Sequence, residues 1–150
     1  MPDKPQPLSP LQQRRARENL DELAGNARGV RNALLVSADG LLIHRTGEMD
    51  QAKAESLAAV TSSLLGAARG TGEVIGEGPC EQMMARYASS TLIFTAVTDL
   101  AGLLVLVDRG TRLDVIAAAI TRLVESTGRV LAPQVREDIA AGPPAQGHRP

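Results

Sequence analysis

The chain has 150 residues, 16 basic and 17 acidic side chains and a formal charge of -1, so it holds one ordinary domain and carries no field that would gather a polyanion. Broad nucleic-acid binding is excluded on that ground. Hydrophobic residues make up 43% of it, yet the large aromatics are Phe94 and Tyr87 alone, so small aliphatic side chains must fill the core.

No apolar run approaches the roughly 20 residues of a membrane span, and Met1 to Pro10 contains no apolar leader. The expectation is a cytoplasmic protein that reaches a membrane surface only through partners. Cys80 is the single cysteine, with His44 and His148 the two histidines. That set makes no internal disulfide and no compact zinc cluster, and neither a metal nor a cofactor is expected.

Both ends, MPDKPQP and GPPAQGHRP, are rich in proline and polar residues and offer nothing to bury. The organisation expected is a disordered tail over 1–9, a domain over 10–132, a helical extension over 133–141 and a second disordered tail over 142–150. Within the domain, Ser9-Pro10-Leu11-Gln12 has a capping serine, a first-turn proline and a glutamine that closes a capping box. The first helix then runs to about Ala27, with Ala16, Leu20, Leu23, Ala24 and Ala27 on one face. On the other face Arg14 is placed to meet Glu18, and Arg17 to meet Asp21. Basic residues at a helix start oppose the macrodipole, so packing must hold this helix.

Val30 to Ser37 contains Ala33-Leu34-Leu35-Val36, a run suited to a strand covered on both faces. Ala38-Asp39-Gly40 turns it into a second strand, Leu41 to Thr46. Asp50 caps a helix with Ala54, Leu57, Ala58, Thr61, Leu64, Leu65 and Ala68 at helical spacing, and small residues beside them allow a close second neighbour. The glycine-rich stretch 70–79 reads as a loop. Cys80 to Tyr87 mixes Glu81, Gln82 and Arg86 with Met83, Met84 and Ala85, which suggests a sheet edge. Thr91 to Val97 and Leu103 to Val107 complete a three-stranded meander, the last entirely apolar and therefore interior. Thr111 and Asp114 open a final helix striped by Leu113, Ile116, Ile120, Leu123, Val124 and Thr127, and Gly128 and Pro133 predict a break before Ile139.

Chemistry finds little support. Gly70-Thr71-Gly72-Glu73-Val74-Ile75-Gly76 has the flavour of a phosphate loop, but its third glycine is misplaced and it follows a helix. His44 is the single histidine inside the folded region, and spacing offers it no carboxylate, so it reads as an exposed strand residue. Glu73, Glu77 and Glu81 recur every four residues, but glycines and Pro79 break the helix that would align them on a cation. The Arg14-Arg15-Ala16-Arg17 cluster reads as a solvated turn, with an acidic partner as the other option. Arg69 and Arg109 each fit an arginine finger or a loop charge equally well.

The stretch Gly29-Val30-Arg31-Asn32-Ala33-Leu34-Leu35-Val36-Ser37-Ala38-Asp39-Gly40-Leu41, with this order of elements, resembles the Roadblock family of dynein light chains and bacterial polarity regulators. The likeness spans Leu11 to Ala132 and is nearest to actinobacterial members found in conservon-type operons, beside a sensor-kinase-like protein and a small GTP-binding protein. It implies an α+β fold of the Roadblock/profilin-like kind in the order α-β-β-α-β-β-β-α, a five-stranded antiparallel sheet with two helices on one face. It implies a non-enzymatic homodimer formed through the third strand and the central helix. Ala58, Thr61, Ser62 and Leu65 would then line the helix pair, and Met83, Ala85 and Tyr87 the strand pair. The partners implied are a second copy, a Ras-like small GTPase whose hydrolysis some members stimulate, and a sensor-kinase-like protein. A PAS- or GAF-like ligand-sensing module is the alternative, weakened by the lack of a polar cluster to orient a ligand. A hydrolase is disfavoured by the absence of any nucleophile motif.

Overall fold

A computed structural model of the chain describes residues 9–131. The elements are α1 (Pro10–Asn26), β1 (Val30–Ser37), β2 (Leu42–Thr46), α2 (Gln51–Ile75), β3 (Gln82–Arg86), β4 (Ser90–Thr98), β5 (Ala101–Asp108) and α3 (Leu113–Leu131). Their order is the one the sequence predicts. The 133–141 extension and the two tails, apart from Ser9, lie outside the described residues.

Helix α1 begins on the expected capping box. Ser9 Oγ accepts from the Gln12 N–H at 3.2 Å while Gln12 Oε1 accepts from the Ser9 N–H at 2.9 Å, which satisfies two donors that no helical carbonyl can reach. Its apolar stripe seats Ala16, Leu20 and Leu23 in the core.

The five strands form one antiparallel sheet in the order β2-β1-β5-β4-β3. The all-apolar β5 is its middle strand, as its composition requires. Side chains alternate between two cores. Ala33, Leu35, Ile93, Leu103, Val105 and Val107 meet α1 and α3 on one face. Leu34, Val36, Phe94 and Leu104 meet Ala54 and Ala58 of α2 on the other. Each large aliphatic so buried contributes about 1.5–3 kcal/mol, and the two-helix layer is locked further by Asn19 Nδ2 donating to Thr127 Oγ1 at 3.3 Å.

One expectation fails at glycines. The stretch 70–79 is not all loop, because α2 continues through Gly70 and Gly72 to Ile75. Gly72 is buried, and a Cβ there would collide with the Gly78 carbonyl. The chain therefore folds back tightly on the helix end, with Gly76 at φ 73° as the left-handed cap and the Glu77 N–H donating to the Gly72 carbonyl at 2.9 Å. These glycines end a helix and permit close approach. Helix α3 runs through Gly128 to Leu131, and the region beyond it before Ile139, where a break or kink is expected, lies outside the described residues. Ile116, Ile120 and Leu123 are buried along the helix, and that burial outweighs the ~1 kcal/mol propensity cost of one glycine.

Candidate functional site

The sheet has two edges, and one of them is bare. Strand β3 is outermost and bonds β4 in register from Gln82↔Thr95 to Arg86↔Thr91. Among the described residues its opposite edge carries no partner strand, and its principal packing neighbour is β4. Met83 and Ala85 point to the α2 side and are half-buried there with Leu92, while Met84 on the reverse side is 44% exposed. A row of unpaired N–H and C=O groups between apolar side chains is a template for a further strand.

Helix α2 covers the same face of the sheet. The stripe Ala54, Ala58 and Thr61 is fully buried on the sheet. One residue out of phase runs a second stripe, Val60, Leu64, Ala67, Thr71 and Val74, all exposed. Val60 is 46% and Val74 87% accessible. Its spacing of 4, 3, 4 and 3 residues is the repeat by which one helix seats against another.

The hairpin bearing the bare edge is clasped from the far side. Arg31 Nε donates to Asp108 Oδ1, and its Nη2 donates to the Ser89 carbonyl at 2.9 Å. Arg109 Nη1 donates to the Tyr87 carbonyl at 2.8 Å, and its own N–H bonds the Ser89 carbonyl. Charge-assisted bonds to turn carbonyls fix where β3 ends.

A family model, the Roadblock/LC7 domain, matches residues 16–108. The chain belongs to the Roadblock/LC7 family. Solved structures agree on the fold of this Roadblock domain. Myxococcus xanthus MglB superposes with a TM-score of 0.78 at 22% identity, covering 85% of this chain and 96% of that one. A Roadblock/LC7 domain from Streptomyces avermitilis gives 0.70 at 24% identity over 81% and 98% of the two chains. The gliding protein MglB of Thermus thermophilus gives 0.76 at 18% identity over 87% and 99%. No curated protein sequence matches the chain.

The structure sorts the residues singled out in this Roadblock chain. Ala58 and Thr61 have no accessible surface and belong to the chain's own core. Ser62 Oγ donates to the Ala38 carbonyl at 2.6 Å, and Leu65 packs over Gly102. All four lie on the sheet side of α2, whereas the stripe beginning at Val60 is exposed. The sequence does not say which of the two stripes faces the sheet, because they run one residue apart. Met83 and Ala85 do lie on the edge strand, and Tyr87 is exposed just beyond it.

Of the two arginines weighed as fingers, Arg109 is spent on the hairpin clasp, whereas Arg69 sits on α2, exposed and without a bonded partner. It lines an open groove of about 910 Å³ at the end of the sheet, with Ser62, Cys80 and Asp99 also on its walls. His44 is not a free strand residue. Its Nε2 lies 3.0 Å from Asp21 Oδ1 of α1, a pairing across 23 residues that spacing alone does not suggest. Among the described residues neither the Arg17–Asp21 nor the Arg14–Glu18 pair forms. Glu73 lies in α2, Glu77 beyond its cap and Glu81 before β3. Among the described residues no three His, Cys, Asp or Glu side chains converge as a metal site, and no helix is long and apolar enough to cross a membrane.

Proposed function

We propose that the chain is a homodimeric, non-catalytic regulator that docks a Ras-like small GTPase. The observations that carry this reading are the bare edge of β3, whose Met83 and Ala85 lie on the α2 side of the sheet, and the exposed stripe of α2. A two-fold axis through both would set β3 against β3 and stripe against stripe, an isologous contact in which each patch meets its own copy. Met83 and Ala85 would line the strand pair with Tyr87 at its ends, and Val60, Leu64 and Ala67 would line the helix pair. The domain proper spans 10–132.

Membership of the Roadblock/LC7 family supports a regulatory role, and the paired surface supplies a platform wider than one protomer for the GTPase. Arg69, exposed on α2 and in no ion pair among the described residues, is a basic side chain available to it. A sensor-kinase-like protein, an actinobacterial conservon setting and a cytoplasmic location belong to the same proposal.

Single-turnover GTP hydrolysis by the Ras-like GTPase encoded nearest this gene, with and without the full chain, tests the proposal alongside binding to the GTP and GDP forms. Faster hydrolysis with preference for the GTP form makes the chain an activator. Binding without acceleration makes it a scaffold, and no binding to either form removes the GTPase from the reading.

A further inference from the structure

The outward face of α1 is charge-segregated, and in the order that elementary electrostatics disfavours. Leu11, Arg14, Arg15 and Arg17 occupy its first half and Glu18, Asp21, Glu22 and Gly25 its second, all exposed. No acidic residue stands in the first turn and no basic residue in the last. Positive charge therefore sits at the positive end of the helix dipole, which costs the isolated helix stability. The charges are not spent internally either. Among the described residues the ion pairs are Arg31–Asp108, His44–Asp21 and Arg112–Asp114, so Arg14, Arg15, Arg17, Glu18 and Glu22 have none. The neighbouring α3 shows no such layout, with exposed Asp114 in its first turn followed by Arg122 and then Glu125.

We infer that this face is a self-association surface distinct from β3 and α2, on which α1 of a second copy packs antiparallel, basic half against acidic half. An antiparallel pair with its axis at Glu18 places Arg14 over Glu22, Arg15 over Asp21 and Leu11 over Gly25 of the other copy. Glu18 then faces Glu18 of the other copy on the axis, with Arg14 of each copy about a turn to either side. Leu11 is 53% exposed, and a Cβ on Gly25 would have nothing within 4 Å, so the one apolar side chain of the face meets the one flat position. A charge order that is unfavourable within a helix becomes complementary between two antiparallel helices, and charge complementarity selects partner and register. Since α1 lies on the opposite side of the sheet from α2, the contact does not depend on the dimer proposed above. Joined to that dimer it builds tetramers or longer chains; without it, the same contact builds pairs of single chains.

Sedimentation velocity of the full chain tests this at about 0.01 M and about 1 M salt, where screening lengths are roughly 30 Å and 3 Å. The expected result is a concentration-dependent larger species at low salt, weakened at least about tenfold at high salt. Arg14→Glu with Arg17→Glu should weaken it about tenfold or more, and adding Glu18→Arg with Glu22→Arg should restore it by reversing both halves. Gly25→Lys replaces a poor helix former in open space, keeps the fold and should block the seat of Leu11. The inference is overturned by absence of the larger species at low salt, by indifference to Gly25→Lys or to the single reversal, or by a doubly reversed chain that is folded by circular dichroism yet stays apart.

Discussion

The two edges of the sheet are finished in opposite ways. Strand β2 is flanked by α1 and α2, and its pairing with β1 slips between Leu35 and Val36. His44, paired with Leu35 on the α1 side, meets Asp21, while Asn32 Nδ2 donates to the Thr46 carbonyl at 3.1 Å and Arg45 donates to the Met49 carbonyl. Strand β3 has a regular register, no strand beyond it and apolar side chains on both faces. Bulges, helical cover and side-chain clasps are the devices that keep an edge from pairing with another chain. Strand β2 has the bulge and the helical cover and β3 has neither, the arginine clasp on its hairpin holding the turn and leaving the outer edge open.

This contrast can be broken in graded steps. The largest effect is expected at the sheet centre shared by both edges. Leu104→Ala removes a side chain 1% exposed and should cost about 2–5 kcal/mol in urea unfolding, with both edges lost together. Next comes the open side. Leu64→Asp puts a charge on an exposed stripe that a lone protomer tolerates, so secondary structure should persist while self-association falls by about 2–3 kcal/mol, read as a shift to the smaller species in sedimentation. A mutant that stays associated would detach the stripe of α2 from the open edge. On the closed side, Asn32→Ala strips a buried amide from the Thr46 and Glu48 carbonyls and should cost about 1–3 kcal/mol, with hydrogen exchange rising in β2 before β3. His44→Ala cuts a contact whose aspartate is 62% exposed, and should cost no more than about 1 kcal/mol in the same unfolding assay.

What could be read from the residues follows how local each signal is. The cap at Ser9, the hairpin around Asp39-Gly40, the apolar β5 and the polar β3 edge all rest on a few neighbouring residues, and each is where the pattern puts it. The stretch from Gly70 to Gly78 was opaque because the role of Gly72 is set by a carbonyl that returns from beyond the helix cap. His44 was opaque because Asp21 reaches it only after α1 has docked. Helix α2 shows a subtler limit. Thr61 and Leu65 alternate with Val60 and Leu64, and in a helix of Ala, Ser and Thr no strong polar face fixes the phase. Both stripes are visible in the sequence, but which one touches the sheet depends on Leu34, Val36 and Leu104 across the fold.

The strand order also governs how the chain can come together in time. The middle strand, β5, is the last to be synthesised, and it alone joins the β1–β2 hairpin to the β3–β4 hairpin. Until residue 108 has emerged from the ribosome, β1 lacks the partner that covers its inner edge, although its own residues were made some seventy positions earlier. A ladder closed across so long a separation forms slowly, and its unpaired strands wait exposed meanwhile. Ribosome-bound chains arrested before and after β5 should therefore differ sharply in protease resistance, with the first hairpin gaining protection only when the last strand arrives.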